Sequence, residues 1–89
     1  MFKGRSRVGI HEPEAIECLQ LMLLWVKEKG YSQNYFDRRF GISRKNISYW
    51  MAGNLPTGKS FKRFYEACHI LGCPHAAEKG KFDWVRESC

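Results

Sequence analysis

Residues 32–53 read SQNYFDRRFGISRKNISYWMAG. Ser32 is an N-cap type, since its hydroxyl can accept a hydrogen bond from a free amide of a first helical turn. It predicts a helix over 33–40, in which Phe36 and Phe40 stand four apart on one face. Gly41 ends that helix, because glycine takes a left-handed backbone conformation at little cost and lets the chain turn sharply. Ser43 then caps a helix over 44–52, which Gly53 and Asn54 end. Two short helices joined by a tight glycine turn form a helix-turn-helix arrangement. Ile42 and Ile47 are the expected plug between them. Ile47, Trp50 and Met51 share the expected inward side of the second helix.

At 100° per residue, Lys45 and Tyr49 fall almost opposite that inward side. Ser48 and Ala52 lie beside them, and Arg44 and Asn46 flank the face. The outward surface therefore carries Arg, Lys, Asn, Ser and Tyr with no acid. Such side chains donate to phosphates and to base edges, Arg or Lys to guanine and Asn to adenine. A helix presenting them fits the major groove with its N-terminal residues nearest the bases. The bland alternative is a solvated cationic face, which is common on helices. The glycine turn, the apolar plug and the acid-free face occurring together weigh against it.

The charge distribution agrees. The chain has 89 residues and a formal net charge of +6. Residues 31–65 carry seven bases and one acid, whereas the flanking segments nearly balance. A basic excess confined to the middle third favours a polyanionic partner, of which nucleic acid is the commonest.

The order Ser32-Gln33, Gly41-Ile42-Ser43, Ile47-Ser48, Trp50, Gly53, Pro56 and Leu71-Gly72 resembles the Cro and lambda-repressor type of helix-turn-helix domain, the XRE-like family. The resemblance spans roughly residues 14–73. It implies an all-α fold, a compact bundle of four or five helices, and sequence-specific binding of double-stranded operator DNA, usually by a homodimer. It further implies a transcriptional regulator of phage or bacterial type, most often a repressor. By that resemblance Arg44, Lys45 and Tyr49 occupy base-reading positions, with Asn46 and Ser48 on the same face. Gln33 would touch phosphate and brace the recognition helix. Asn54 would contact the DNA backbone. Lys59 and Lys62 are expected on phosphates as well. One position departs from the pattern: Asp37 stands where the family usually has a small residue, close to the helix crossing. A buried unpaired carboxylate is costly, so either Asp37 reaches the rim and pairs with a nearby base, or the helices cross differently.

Outward from this motif, Pro13 suits a first helical position, and apolar spacing from Ile16 to Val26 predicts a helix reaching Lys29, stopped by Gly30. Its apolar arc includes Leu21 and Leu24 and is wider than one core face requires. A fourth helix is expected over about 60–71, with Phe61, Phe64, Cys68 and Leu71 on one side. Residues 1–10 are read as a flexible basic arm, 11–73 as the helix-turn-helix domain, and 74–89 as a tail that packs or dimerises. Phe82, Trp84 and Val85 of the tail fit either a strand or a helical turn. The wide first helix and the tail are candidate dimer surfaces, or they pack on each other within one chain. They also support the alternative of an antitoxin or protein-interaction module that binds a partner through apolar surface.

The remaining signals are weaker. Residues 53–60, GNLPTGKS, match the phosphate-loop pattern in form, but that motif needs a strand before it and a parallel sheet around it. Here a helix precedes it. Cys68, His69, Cys73 and His75 put four potential zinc ligands within eight residues, in a spacing that fits no established zinc pattern. The expectation is therefore no metal and no cofactor. The cysteines are read as reduced thiols, with Cys18 and Cys68 buried. No Ser/His/Asp or Cys/His order suggests an activated nucleophile, so the chain is not expected to be an enzyme. Leu21 to Val26, the longest apolar run, is far short of the ~20 residues that span a bilayer. The start is basic without a following apolar stretch, so a cytoplasmic location and no membrane partner are expected.

Overall fold

The computed structural model describes residue 10 and residues 12–85. The Lys3, Arg5 and Arg7 arm, His11 and residues 86–89 lie outside the described residues. Four helices follow one another: α1 (Pro13–Lys29), α2 (Gln33–Phe40), α3 (Arg44–Met51) and α4 (Gly58–Ile70). A short 3-10 turn, Pro74–Ala76, comes after them. The fold is an all-α bundle, and no strand occurs among the described residues.

Local chemistry accounts for most helix ends. Ser32 Oγ accepts from the Tyr35 amide at 3.0 Å, and Ser43 Oγ accepts from the Lys45 amide at 3.2 Å. Caps of this kind stabilise a helix by about 1 kcal/mol each. Gly41 has φ of 71°. There the Gly41 and Ile42 amides donate back to the Asp37 and Phe36 carbonyls, so the turn itself satisfies the free end of α2. An alanine at Gly41 would meet open space; its cost would come from the left-handed backbone alone.

α4 begins two residues earlier than expected. Its cap is Thr57, whose Oγ1 accepts from the Ser60 amide at 3.2 Å. Buried Pro56 precedes the cap. Thr57 itself is extended, with φ of −69° and ψ of 164°, as an N-cap residue is. α3 ends at Met51, with Ala52 as its C-cap.

The core is aromatic at its centre. Phe36, Phe61 and Phe64 are fully buried. The Phe64 ring lies 5.5 Å from that of Phe36 and 5.4 Å from that of Trp50, so it joins α2, α3 and α4. α1 contributes Ala15, Cys18, Leu19, Met22, Leu23 and Val26, and it packs on α4 and on the 3-10 turn. Leu21 and Leu24 remain outside, 38% and 59% exposed. Ile42 and Ile47 are buried, as the plug requires. Met51 is not: it is 43% exposed, because Ile47 and Trp50 alone seat the short α3 on the core.

The same core extends past both expected domain boundaries. Ile10 is buried, and its amide donates to the Pro56 carbonyl at 2.8 Å. Phe82 and Val85 are buried within a turn in which the Val85 amide donates to the Phe82 carbonyl, while Trp84 is half exposed. The Phe82 ring sits 5.2 Å from Phe61 and 5.4 Å from Tyr65, so Phe82 docks against α4. No helix among the described residues is long and apolar enough to cross a membrane.

Candidate nucleic-acid interface

Gln33, at the first position of α2, holds the two motif helices in register. Its Oε1 accepts from the Ser48 hydroxyl at 3.0 Å, and its Nε2 donates to Met51 Sδ at 3.9 Å. The brace thus grips α3 at two points one turn apart. Met51, which the helical wheel turns inward, is recruited to this rim instead. Ser48, expected to read bases, spends its hydroxyl hydrogen on the brace.

Asp37 reaches the rim. It lies 3.9 Å from Arg44 Nε, with both side chains about half exposed. The pair is loose and solvated, and such pairs contribute at most about 1 kcal/mol. It answers the question the sequence leaves open, because no carboxylate is buried at the helix crossing. It also gives Arg44 an alternative partner to any ligand.

Gln33, Asp37, Arg44, Lys45 and Ser48 line one shallow groove. Lys45, Asn46 and Tyr49 are exposed, and among the described residues their side chains make no hydrogen bond or ion pair. Tyr49 is 63% exposed, an unusual position for a ring with nothing over it. Asn54 donates through both its backbone amide and its side-chain Nδ2 to the Tyr49 carbonyl, at 3.0 and 3.1 Å. It therefore closes the C-terminal end of α3, and its side-chain oxygen stays free. Lys59 is exposed in the first turn of α4.

Lys62 is placed elsewhere. Its ammonium donates to the Asp83 carbonyl at 3.3 Å, and it lines a cleft between α4 and the C-terminal turns. Another central base, Arg39, donates to the Tyr35 hydroxyl at 2.6 Å and lies over the Phe40 ring. The middle-third excess is thus only partly available at the α2/α3 groove. The Gln33–Ser48 bond joins residues 15 apart in sequence. The family resemblance implies a brace from Gln33 but not its partner, because nothing local pairs Gln33 with Ser48.

The Cys/His segment is structural in its contacts. His69 Nδ1 lies 2.8 Å from the Ala76 carbonyl, and the Cys18 thiol donates to the His75 carbonyl at 3.4 Å. Cys18, Cys68 and Cys73 are buried as free thiols. Among the described residues, no group of three or more His, Cys, Asp or Glu is arranged to hold a metal ion. Burial pushes the Cys18 thiol up to about 11, against the opposing charge of Lys81. Burial raises Cys68 and Cys73 as well. At neutral pH these groups are protonated thiols, poor nucleophiles and poor ligands.

A pH dependence follows. Thiols titrate at about 8.5 in an unfolded chain, so their folded-state pKa is raised. The stability that Cys18 contributes is complete below that value and is lost as pH rises through about 11. Under reducing conditions the urea midpoint is expected to fall between pH 8.5 and 11, and Cys18→Ala should flatten that fall. A midpoint insensitive to pH across the window would refute the burial of these thiols.

A scan against family models finds no match for the chain, and searches of curated proteins and of solved structures find none either.

Proposed function

We propose that the chain is a sequence-specific double-stranded DNA-binding regulator of the Cro and lambda-repressor type, with α3 as its recognition helix in the major groove. The observation that carries this reading is the exposed, acid-free face of Lys45, Asn46 and Tyr49 on a helix that Gln33 braces through Ser48. A base-reading helix needs donors free of partners and a backbone fixed in orientation, because the entropy of ordering them would otherwise weaken discrimination. Lys45 and Asn46 supply the donors for guanine and adenine edges, and the Tyr49 ring suits an apolar contact with a thymine methyl. Gln33, Asn54 and Lys59 fix the register on phosphates, where contacts position but do not specify. A homodimeric repressor is the preferred form, since one short helix covers few base pairs and paired half-sites restore affinity.

Selection of duplexes from a random pool tests the reading with the full chain. The expected result is an enriched motif with an inverted repeat, which reports a two-fold dimer. Retention with no enriched sequence would overturn specific recognition, and no retention at low salt would overturn DNA binding. Lys59→Ala is expected to weaken all duplexes alike and to lower the salt slope by about one. An unchanged slope would remove Lys59 from the phosphate contacts.

A further inference from the structure

The single acid of residues 31–65 is Asp37, and it stands in the α2/α3 groove. Nothing local favours it there. Aspartate is a poor helix former, and in the last turn of α2 its charge lies at the negative end of the helix dipole. The fold gains little in return, because both partners of the Asp37–Arg44 pair are solvated. A carboxylate on a surface that meets phosphates also repels them. A residue that breaks the local rules without stabilising the fold points to a role in binding.

Arg44 supplies that role. It borders two shallow grooves. One it shares with Asp37, Lys45 and Ser48. The other it shares with Lys27 and residues 30–34 at the start of α2, and no acid lines that one. Two cations beside the first turn of a helix would favour any phosphate. Asp37 lines only the first groove and draws Arg44 to that side. The 3.9 Å approach is through Arg44 Nε, which leaves the two terminal amino groups outside the contact. Those groups form the fork that grips the O6 and N7 edge of guanine.

We propose that Asp37 is a specificity-determining residue, which holds Arg44 at the α3 groove for a guanine edge and away from the phosphates of arbitrary sequence. This rests on the DNA-binding reading and gives Arg44 its part in it. Docking against a duplex displaces water from around the pair, so the same separation holds Arg44 more firmly than on the free chain. Non-specific binding comes almost wholly from neutralised phosphates. A cation withheld from them therefore weakens every duplex except the one whose guanine it meets.

The test is the affinity of the full chain for the duplex selected from the random pool and for a scrambled duplex, each across a salt series. Asp37→Asn keeps the shape of an exposed side chain and removes its charge. It should tighten the scrambled duplex about fivefold, the upper range for an exposed charge pair. The salt slope for that duplex should steepen by about one. Affinity for the selected duplex should stay within about twofold, so discrimination falls. In an Arg44→Ala chain the same change at Asp37 should leave discrimination within about twofold of that chain's own value. Unaltered discrimination in Asp37→Asn would overturn the role of Asp37. An equal fall without Arg44 would overturn the route through Arg44 and leave plain repulsion of phosphates. An unaltered chain that selects no duplex would instead overturn the DNA-binding reading, and the role of Asp37 would fall with it.

Discussion

Lys45→Glu is expected to reduce duplex binding by about 10²- to 10³-fold while leaving the helix content unchanged. Removing a base contact costs about 1–3 kcal/mol. The new carboxylate then faces phosphates of like charge, a juxtaposition that adds further cost. The fold should not share this loss. Lys45 is exposed in the first turn of α3, and the cap it completes uses its backbone amide, which any residue keeps. A glutamate near a helix N-terminus is moreover favourable to the helix by about 0.3–1 kcal/mol. Binding isotherms beside far-ultraviolet circular dichroism separate the two effects. Affinity within about threefold of the unaltered chain, with the helix intact, would take the Lys45 face out of any DNA interface.

Phe64→Ala is expected to destabilise the fold by about 3–5 kcal/mol, as large-to-small changes at buried aromatic positions do. A small domain has a net stability of about 5–15 kcal/mol, so the loss is a large share of it. The corresponding fall in melting temperature is about 15–30 °C. The size follows from position: Phe64 is fully buried and touches the rings of Phe36 in α2 and Trp50 in α3. Truncation leaves a cavity at the junction of three helices, where no single element can collapse to fill it. Phe64→Leu, which retains most of the volume, should cost about 1 kcal/mol. Thermal melts decide the matter. A loss below about 5 °C for the alanine variant would mean that Phe64 is not the common wall of the core.

The two variants separate framework from surface. The alanine at position 64 acts through packing and should lower every activity of the chain in proportion to the folded fraction. The glutamate at position 45 acts through charge and should spare stability.

Helix boundaries were legible in the sequence because their causes lie within one turn of the residues concerned. Ser32 and Ser43 cap the amides that follow them, and Gly41 takes the positive φ that its lack of a side chain permits. The spacing of Ile47 and Trp50 determines which side of α3 turns inward. The exposure of Lys45, Asn46 and Tyr49 follows from the same periodicity, so most of the candidate surface could be read before any coordinates. The start of α4 was missed because Gly58 is a poor helix former, whereas Thr57 caps the Ser60 amide and starts the helix before it.

What the tertiary structure alone decided are the contacts between groups distant along the chain. The choice of Ser48 as the partner of the Gln33 brace, the outward turn of Met51, the choice of Arg44 as the partner of Asp37 and the seat of Phe82 on Phe61 all depend on how helices cross. Periodicity assigns a side chain to a face of its own helix, but not to the residue opposite. That choice is made by packing, where volumes must fill space at near-crystalline density and each polar group must find a partner.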